Sequence, residues 1–144
     1  MPTEPDIRAA LDASLEFVSF VHDLAKDLAG SHLHSLDTLL RFAMAIPMHI
    51  EEAAGQPESL RKPYLEIARG AALACAGSLY LLTTGGACSP ERVSPGRSLL
   101  SATTAALAGK TERTVRPPAA PDPPKERFRP GPPGDPGRWG RGED

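Results

Sequence analysis

Apolar side chains recur at steps of three and four residues through the first 110 residues, as expected for helices that each bury one face. The first such stretch predicts a helix from about Pro5 to Ala29, stopped by Gly30. Its apolar positions are Ile7, Leu11, Leu15, Val18, Val21, Leu24 and Leu28, widened by Phe17 and Phe20. Acidic residues occupy the other face: Asp6, Asp12, Glu16, Asp23 and Asp27.

A second helix is predicted from Ser31, as its N-cap, to about Ala54. Its apolar side comprises Leu33, Leu36, Leu39, Leu40, Ala43, Met44, Ile46 and Ile50. Pro47 falls inside this helix, where proline removes one backbone hydrogen bond and clashes with the carbonyl of Ala43. We expect one kinked helix; the alternative is a helix that ends at Ile46 and restarts.

A third helix is predicted from Ser59 or Lys62 to Thr83, followed by the turn at Gly85 and Gly86. Its expected core side comprises Tyr64, Ile67, Ala71, Ala74, Cys75, Ser78, Leu79 and Leu82. Small residues form a strip along it: Gly70, Ala74, Gly77 and Ser78. Such a strip lets another helix come close, either from the same chain or from another subunit.

The fourth helix is the weakest in sequence, predicted from Pro95 to Ala108 after a short turn at 90–93, with Gly109 as its stop. Its apolar side comprises Leu99, Leu100, Thr103, Ala106 and Leu107. No strand-like alternation is found. Four helices joined by short turns favour an all-α, antiparallel up-and-down four-helix bundle, which we assign to residues 5–112.

Composition separates the end of the chain from this bundle. Residues 116–144 hold 9 of the 16 prolines and 5 of the 13 glycines. Such a segment buries too little apolar surface to offset its ordering entropy, so residues 113–144 are predicted to be a disordered Pro/Gly/Arg-rich tail.

Charge and cysteine content narrow the class of protein. The net charge of −2 gives no overall field for nucleic acid or an anionic membrane. Cys75 and Cys88 do not suggest a disulfide framework, and the first residues lack a secretory pattern, so a cytoplasmic location is expected. The uncharged run from Gly70 to Gly86 is too weakly apolar for a spanning helix, and no membrane partner is expected.

The titratable residues form no catalytic constellation, so we assign no catalytic, cofactor-binding or metal-binding residue and expect no enzyme. His32 and His34 are two apart and do not share a helix face, which favours surface or capping roles over a metal site with His22, Asp23 or Glu52. Glu51 and Glu52 are expected to lie on a solvated face, or Glu52 to form a salt bridge with Arg69 or Arg41.

Two groups of residues are candidates for contact with nucleic acid or a partner. Around the end of helices two and three lie Arg41, Arg61, Lys62 and Arg69, which in a ring of subunits would form a collar for RNA phosphates. Acidic residues interleaved with them weaken that field. In the tail, arginines beside aromatic rings can stack on bases or a partner: Arg127, Phe128, Arg129, Arg138 and Trp139. A solvated extension remains the favoured interpretation of the tail.

One segment resembles a known family. The stretch AIPMHIEE at residues 45–52, a serine at position 59 and LEIARG at 65–70 resemble the bacterial 23S rRNA intervening-sequence proteins. The residues that match the family motif are Ile46, Pro47, Ile50, Glu52, Ser59, Ala68, Arg69 and Gly70. Ala45 and His49 stand where the motif has serine and asparagine. The resemblance spans roughly residues 5–110.

This resemblance implies an antiparallel four-helix bundle that assembles as a homo-oligomer, often a ring-shaped pentamer. The cellular role of the family is poorly defined. A related branch, the accessory variability protein of diversity-generating retroelements, assists a reverse transcriptase and binds nucleic acid through basic surfaces. The resemblance therefore implies a scaffold or accessory role, with RNA, DNA or a reverse transcriptase as partners.

Overall fold

A computed structural model describes residues 1–28 and 30–109, which form four α-helices. These are α1 (Glu4–Asp27), α2 (Leu33–Ala54), α3 (Lys62–Thr84) and α4 (Pro90–Leu107), with a short 3-10 turn at Glu58–Leu60 before α3. The described ranges contain no strand. The predicted all-α class is therefore confirmed, whereas the predicted tail at 113–144 lies outside the described residues.

The helices form an up-and-down bundle. Each helix packs against its neighbours along the chain, and α1 closes the ring by packing against α4. Because the connections are short, successive helices run antiparallel, as predicted. The centre is filled by fully buried apolar side chains: Phe17, Val21, Leu24, Leu39, Ile46, Ile50, Leu79 and Val93.

The start of α1 is fixed by a capping box. The Thr3 hydroxyl accepts a hydrogen bond from the Asp6 amide at 3.2 Å, and the Asp6 carboxylate accepts one from the Thr3 amide at 2.8 Å. These bonds satisfy amide groups that a helix end leaves without partners. The prediction that Asp6 lies on the polar face was wrong, since its capping role places it at 0% exposure.

The start of α2 also differs from the prediction. Ser31 does not cap α2; its hydroxyl donates to the Leu28 carbonyl at 3.0 Å and so closes the end of α1 instead. His32 takes the N-cap position in the left-handed region, at φ 54°, with no side-chain capping bond. Further along, α2 runs unbroken past Pro47, which rules out the interruption at Ile46.

The fourth helix begins earlier than predicted, at Pro90 instead of Pro95. The Ser89 hydroxyl caps it by accepting a hydrogen bond from the Arg92 amide at 3.1 Å. Both Val93 and Gly96 are buried in the bundle, so tertiary packing extends the helix through Pro95 despite the missing amide hydrogen.

Four residues assigned to the core by periodicity are exposed. Leu15 is 50% exposed, Leu33 67%, Met44 49% and Ile67 51%. A helix in a four-helix ring buries only the sector between its two neighbours, and the apolar stripes of this chain are wider than that sector. The excess apolar residues therefore lie on the outside of the bundle.

Candidate interaction surfaces

The outer side of α2 and α3 carries large apolar residues that are exposed to solvent. On α2, Phe42 is 41% exposed and Met48 56%. On α3, Leu73 is 53% exposed, Tyr80 59% and Leu81 68%. Scattered exposed apolar residues are ordinary, but a continuous group marks an interaction site.

Helix geometry places three of these residues, Phe42, Met48 and Leu81, in two rows. Residues three and four apart lie on one helix face, so Phe42, Ala45 and Met48 form a row on α2. The corresponding row on α3 is Ile67, Gly70, Ala74, Gly77 and Leu81. We call the two rows together the α2–α3 outer face. Leu81 also lines the cleft between the two helices, which confirms that its row borders α2.

The small residues of α3 leave room beside the helix. A Cβ atom added at Gly70 or at Gly77 would meet nothing within 4 Å. No described part of the chain approaches these two positions. The other members of the predicted strip, Ala74 and Ser78, are half-buried, and Ser78 lines the cleft between α2 and α3. Within residues 1–28 and 30–109, the same-chain alternative therefore fails for the two glycines and holds for Ser78.

The charged residues next to this face are held within α2. Arg41 pairs with Asp37 at 2.7 Å, and the Glu52 carboxylate lies 2.8 Å from the His49 ring. The prediction that Glu52 pairs with Arg69 or Arg41 was wrong, because the i,i+3 neighbour His49 is closer on the same helix. Each of the two carboxylates is thus engaged locally.

Arg61 has a structural position at the end of α2. Its side chain is only 14% exposed, and its guanidinium pairs with Glu4 at 2.6 Å. The same group donates to the Gln56 carbonyl at 2.9 Å and to the Ala54 carbonyl at 3.4 Å. These bonds satisfy carbonyls at the end of α2 and tie that end to the start of α1. The Arg61 guanidinium is thus already engaged within the chain, and its contact with nucleic acid or a partner stays a prediction.

Lys62 and Arg69 are the two predicted basic residues that the structure brings together. Both line an open depression of about 430 Å³ whose other walls include Leu65, Glu66 and Leu107. Neither forms an ion pair with any other described residue. The remaining member of the predicted collar, Arg41, lies on α2 and is paired with Asp37. Of the four basic residues predicted to form the collar, Lys62 and Arg69 are therefore the two that share one depression.

The residues that match the family motif divide evenly between the interior and the surface of the bundle. Ile46 and Ile50 are fully buried, and Pro47 is half-buried beside them. In contrast, Glu52, Ser59 and Gly70 are exposed.

The histidines and cysteines do not converge. His22, His32 and His34 are exposed, and no three His, Cys, Asp or Glu residues in the described ranges lie close enough to hold a metal ion. His32 and His34 do share one wall of a cleft of about 270 Å³ with Ser35 and Thr38.

Burial makes Cys75 a poor nucleophile, since it raises the pKa of this thiol to about 12. Burial also raises the pKa of the Cys88 thiol, and the nearby Arg92 guanidinium opposes that rise.

Periodicity did not predict the large exposed apolar side chains of Phe42, Met48, Leu73 and Tyr80. One signal was present: α2 and α3 carry more apolar residues than one buried sector accommodates. The predicted contacts of the tail lie outside the described residues: Arg127, Phe128, Arg129, Arg138 and Trp139.

By length and composition, α3 also passes the test for a membrane-spanning helix, with a mean hydropathy of 1.3 over an 18-residue window. Within the bundle, however, seven of its residues are buried against the other helices: Leu65, Ala68, Ala71, Ala72, Cys75, Leu79 and Leu82. These buried residues and those around them leave 39% of the 18-residue window buried, and a further apolar row of α3 lies on the outside of the bundle.

Comparison with known proteins found no relative of this chain. No family model matches the chain, and searches of curated proteins and of solved structures found no match.

Proposed function

We propose that this protein is a non-catalytic, self-associating four-helix bundle that serves as a scaffold or accessory protein in the cytoplasm. One observation carries the proposal: the α2–α3 outer face is apolar and exposed, while the core beneath it is already complete. Apolar surface of this kind is stabilised when another molecule removes it from water.

Two features of the sequence support the same conclusion. The titratable residues do not suggest a catalytic constellation, which favours a role through contact instead of bond-making. The resemblance to the 23S rRNA intervening-sequence proteins implies a homo-oligomer, in that family often a pentamer. Accessory function would then follow from presenting several copies of one surface.

Light scattering of the purified full chain tests the proposal. At micromolar concentration we expect a mass that is a multiple of 15.2 kDa, decreasing on dilution as subunits separate. A protein that stays monomeric across this range contradicts self-association.

A second function, nucleic-acid binding as an accessory factor of a reverse transcriptase or of ribosomal RNA, is favoured by Lys62 and Arg69. Both cations lie on one depression and are unpaired among the described residues. Unpaired cations of this kind bind phosphates by releasing the counterions that surround nucleic acid.

Filter binding at low salt distinguishes this second function from pure self-association. We expect binding of single-stranded RNA that weakens as salt rises, and a K62A/R69A variant that loses most of that affinity. Arg41→Ala serves as the matched control, because Arg41 is already paired with Asp37. RNA binding that does not depend on salt, or that the double substitution leaves intact, contradicts the role of this pair.

A further inference from the structure

We propose that the depression beside Lys62 and Arg69 binds one unstacked guanine base of single-stranded RNA, and that Glu66 reads this base. The proposal rests on the second function proposed above and names the base that this site selects. Its starting point is a third charge, because Glu66 lines the same depression as the two cations. A carboxylate at this place weakens a site that binds only phosphates, since like charges repel.

The three charged residues lie on one face of α3. Lys62, Glu66 and Arg69 follow one another at steps of four and three residues, so their side chains leave the helix on the same side. From Lys62 to Arg69 the helix rises about 10 Å, and Glu66 lies between them. Although this spacing allows ion pairs along the helix, none of the ion pairs among the described residues includes any of the three. All three side chains are exposed, so each is available to a ligand.

Three parts of the bundle border the depression, which distinguishes it from an open helix surface. Its apolar lining comes from the start of α3, the end of α4 and the segment before α1: Leu65, Leu107, Ala108, Met1 and Pro2. Leu65 and Leu107 are 5% and 6% exposed, so they form an apolar floor. The volume of about 430 Å³ lies within the range of ligand sites, which is about 300 to 1,000 Å³. An apolar floor with charges at its rim suits a flat group with polar edges, such as a nucleobase.

The hydrogen-bonding groups of the four bases explain why a carboxylate favours guanine. An ionised carboxylate only accepts hydrogen bonds. On its Watson–Crick edge guanine carries two adjacent donors, N1–H and the N2 amino group, which the two oxygens of one carboxylate accept together. In cytosine and adenine the amino group lies beside a ring nitrogen that accepts, and in uracil the single donor lies between two carbonyl oxygens. These acceptors would face the Glu66 oxygens, so the other three bases lose part of the contact.

The two cations complete the contact with the strand. Lys62 and Arg69 bind the phosphates on either side of the nucleotide, while Glu66 contacts only its base. Phosphate contacts of this kind position a strand, and base contacts specify its sequence. Because the net charge of −2 gives no general attraction for RNA, a contact to the base adds affinity where phosphate contacts are few.

The experiment measures, by fluorescence anisotropy, how the full-length protein binds two labelled RNA strands of equal length. One strand contains only uridine, and the other is uridine-rich with separated guanines. We expect the wild type to bind the guanine-containing strand at least about five-fold more tightly, as for one base held by a pair of hydrogen bonds. Glu66→Gln should abolish this preference, because its amide presents a donor to the donors of guanine.

Glu58→Gln is the matched control. Glu58 is also exposed near the start of α3, but it does not line the depression. The substitution removes the same charge from the same end of the bundle, and the preference for guanine should persist. Both substitutions change an exposed side chain, so we expect the fold to be retained, which far-ultraviolet circular dichroism checks.

The outcomes separate this proposal from the function on which it rests. A wild-type protein that binds neither strand removes nucleic-acid binding itself. Equal affinity for the two strands, or a Glu66→Gln variant that binds both more tightly by the same factor, leaves phosphate contact intact and overturns recognition of the base. A preference for guanine that survives Glu66→Gln, or that Glu58→Gln also removes, overturns the assignment of this role to Glu66.

Discussion

At the scale of single residues, Gly96 sets how closely α4 approaches α1. A Cβ atom at this position would lie 2.4 Å from the Phe20 ring, far inside van der Waals contact. The ring has little room to move, because it stacks on Phe17 with centroids 5.9 Å apart and lies under the Arg92 guanidinium at 5.4 Å. The absence of a side chain at Gly96 is therefore a packing requirement.

We predict that Gly96→Ala lowers the free energy of unfolding by about 1–2 kcal/mol. Overpacking a filled site costs about 1–3 kcal/mol, and the better helix propensity of alanine returns up to about 1 kcal/mol of this. Urea denaturation measures the change. Ser98→Ala, an exposed position on the same helix, is the control and should be neutral or stabilising.

The buried thiol of Cys75 gives a second prediction, for the dependence of stability on pH. Burial raises its pKa to about 12 in the folded chain, against an ordinary value of 9.0. The unfolded chain therefore loses this proton first as the pH rises, and the stability associated with the neutral thiol falls between pH 9 and 12.

Thermal unfolding of Cys75→Ala and of the wild type at pH 7, 9 and 10.5 tests whether this thiol causes the loss of stability. The wild-type protein should lose more stability than the variant as the pH rises through this interval. An equal loss in both proteins would mean that Cys75 does not titrate with unfolding.

At the scale of elements, Arg61 joins two helix ends that are far apart in the chain. Its guanidinium binds the carbonyls of Ala54 and Gln56 and the Glu4 carboxylate, so the end of α2 and the start of α1 share one side chain. A hydrogen bond to a charged group contributes about 1.5–3 kcal/mol when it is shielded from water.

We predict that Arg61→Ala lowers the free energy of unfolding by about 1.5–3 kcal/mol, because two carbonyls lose their donor. Arg41→Ala is the matched control, since its pair with Asp37 is exposed on both sides and should change stability by less than about 1 kcal/mol. Equal effects of the two substitutions in urea denaturation would contradict the structural role of Arg61.

The elements also show what periodicity predicts and what it leaves open. α2 and α3 were predicted nearly to the residue, because long apolar stripes and the Gly55 and Gly85 turns bound them. The predicted start of α4 was wrong. Ser89-Pro90 and Ser94-Pro95 both fit a serine N-cap followed by proline, and only the burial of Val93 shows that the helix begins at the first of them. The prediction that Ser31 caps α2 was also wrong, because the end of α1 and the start of α2 compete for its hydroxyl and the hydroxyl bonds to the end of α1.

At the scale of the whole molecule, the main difference between prediction and structure is the direction in which the apolar side chains of each helix point. A helical wheel shows that Ile67 and Met44 belong to an apolar stripe, but only the positions of neighbouring helices decide that both point outward. The sequence therefore predicts which residues of these surfaces are apolar or basic, but not where on the bundle they lie. For the same reason Lys62 and Arg69 meet on one depression while Arg61 is withdrawn from it.

Self-association predicts that thermal stability depends on concentration. Because association stabilises only the folded chain, the midpoint of thermal unfolding should rise as the protein is concentrated from about 1 to 100 μM. Differential scanning fluorimetry at several concentrations measures this, and a wild-type midpoint that stays constant contradicts it.

The bundle also brings its first and last described residues together: a Cβ atom at Gly109 would lie 3.7 Å from the Met1 carbonyl oxygen. In a variant that ends at Gly109, a short linker could therefore join Met1 to Gly109, and a circular permutant opened at the exposed Gly30 should keep the same topology. A fluorescent reporter or an affinity handle fused to either end of that shortened variant would start from the same end of the bundle and leave its long sides unobstructed.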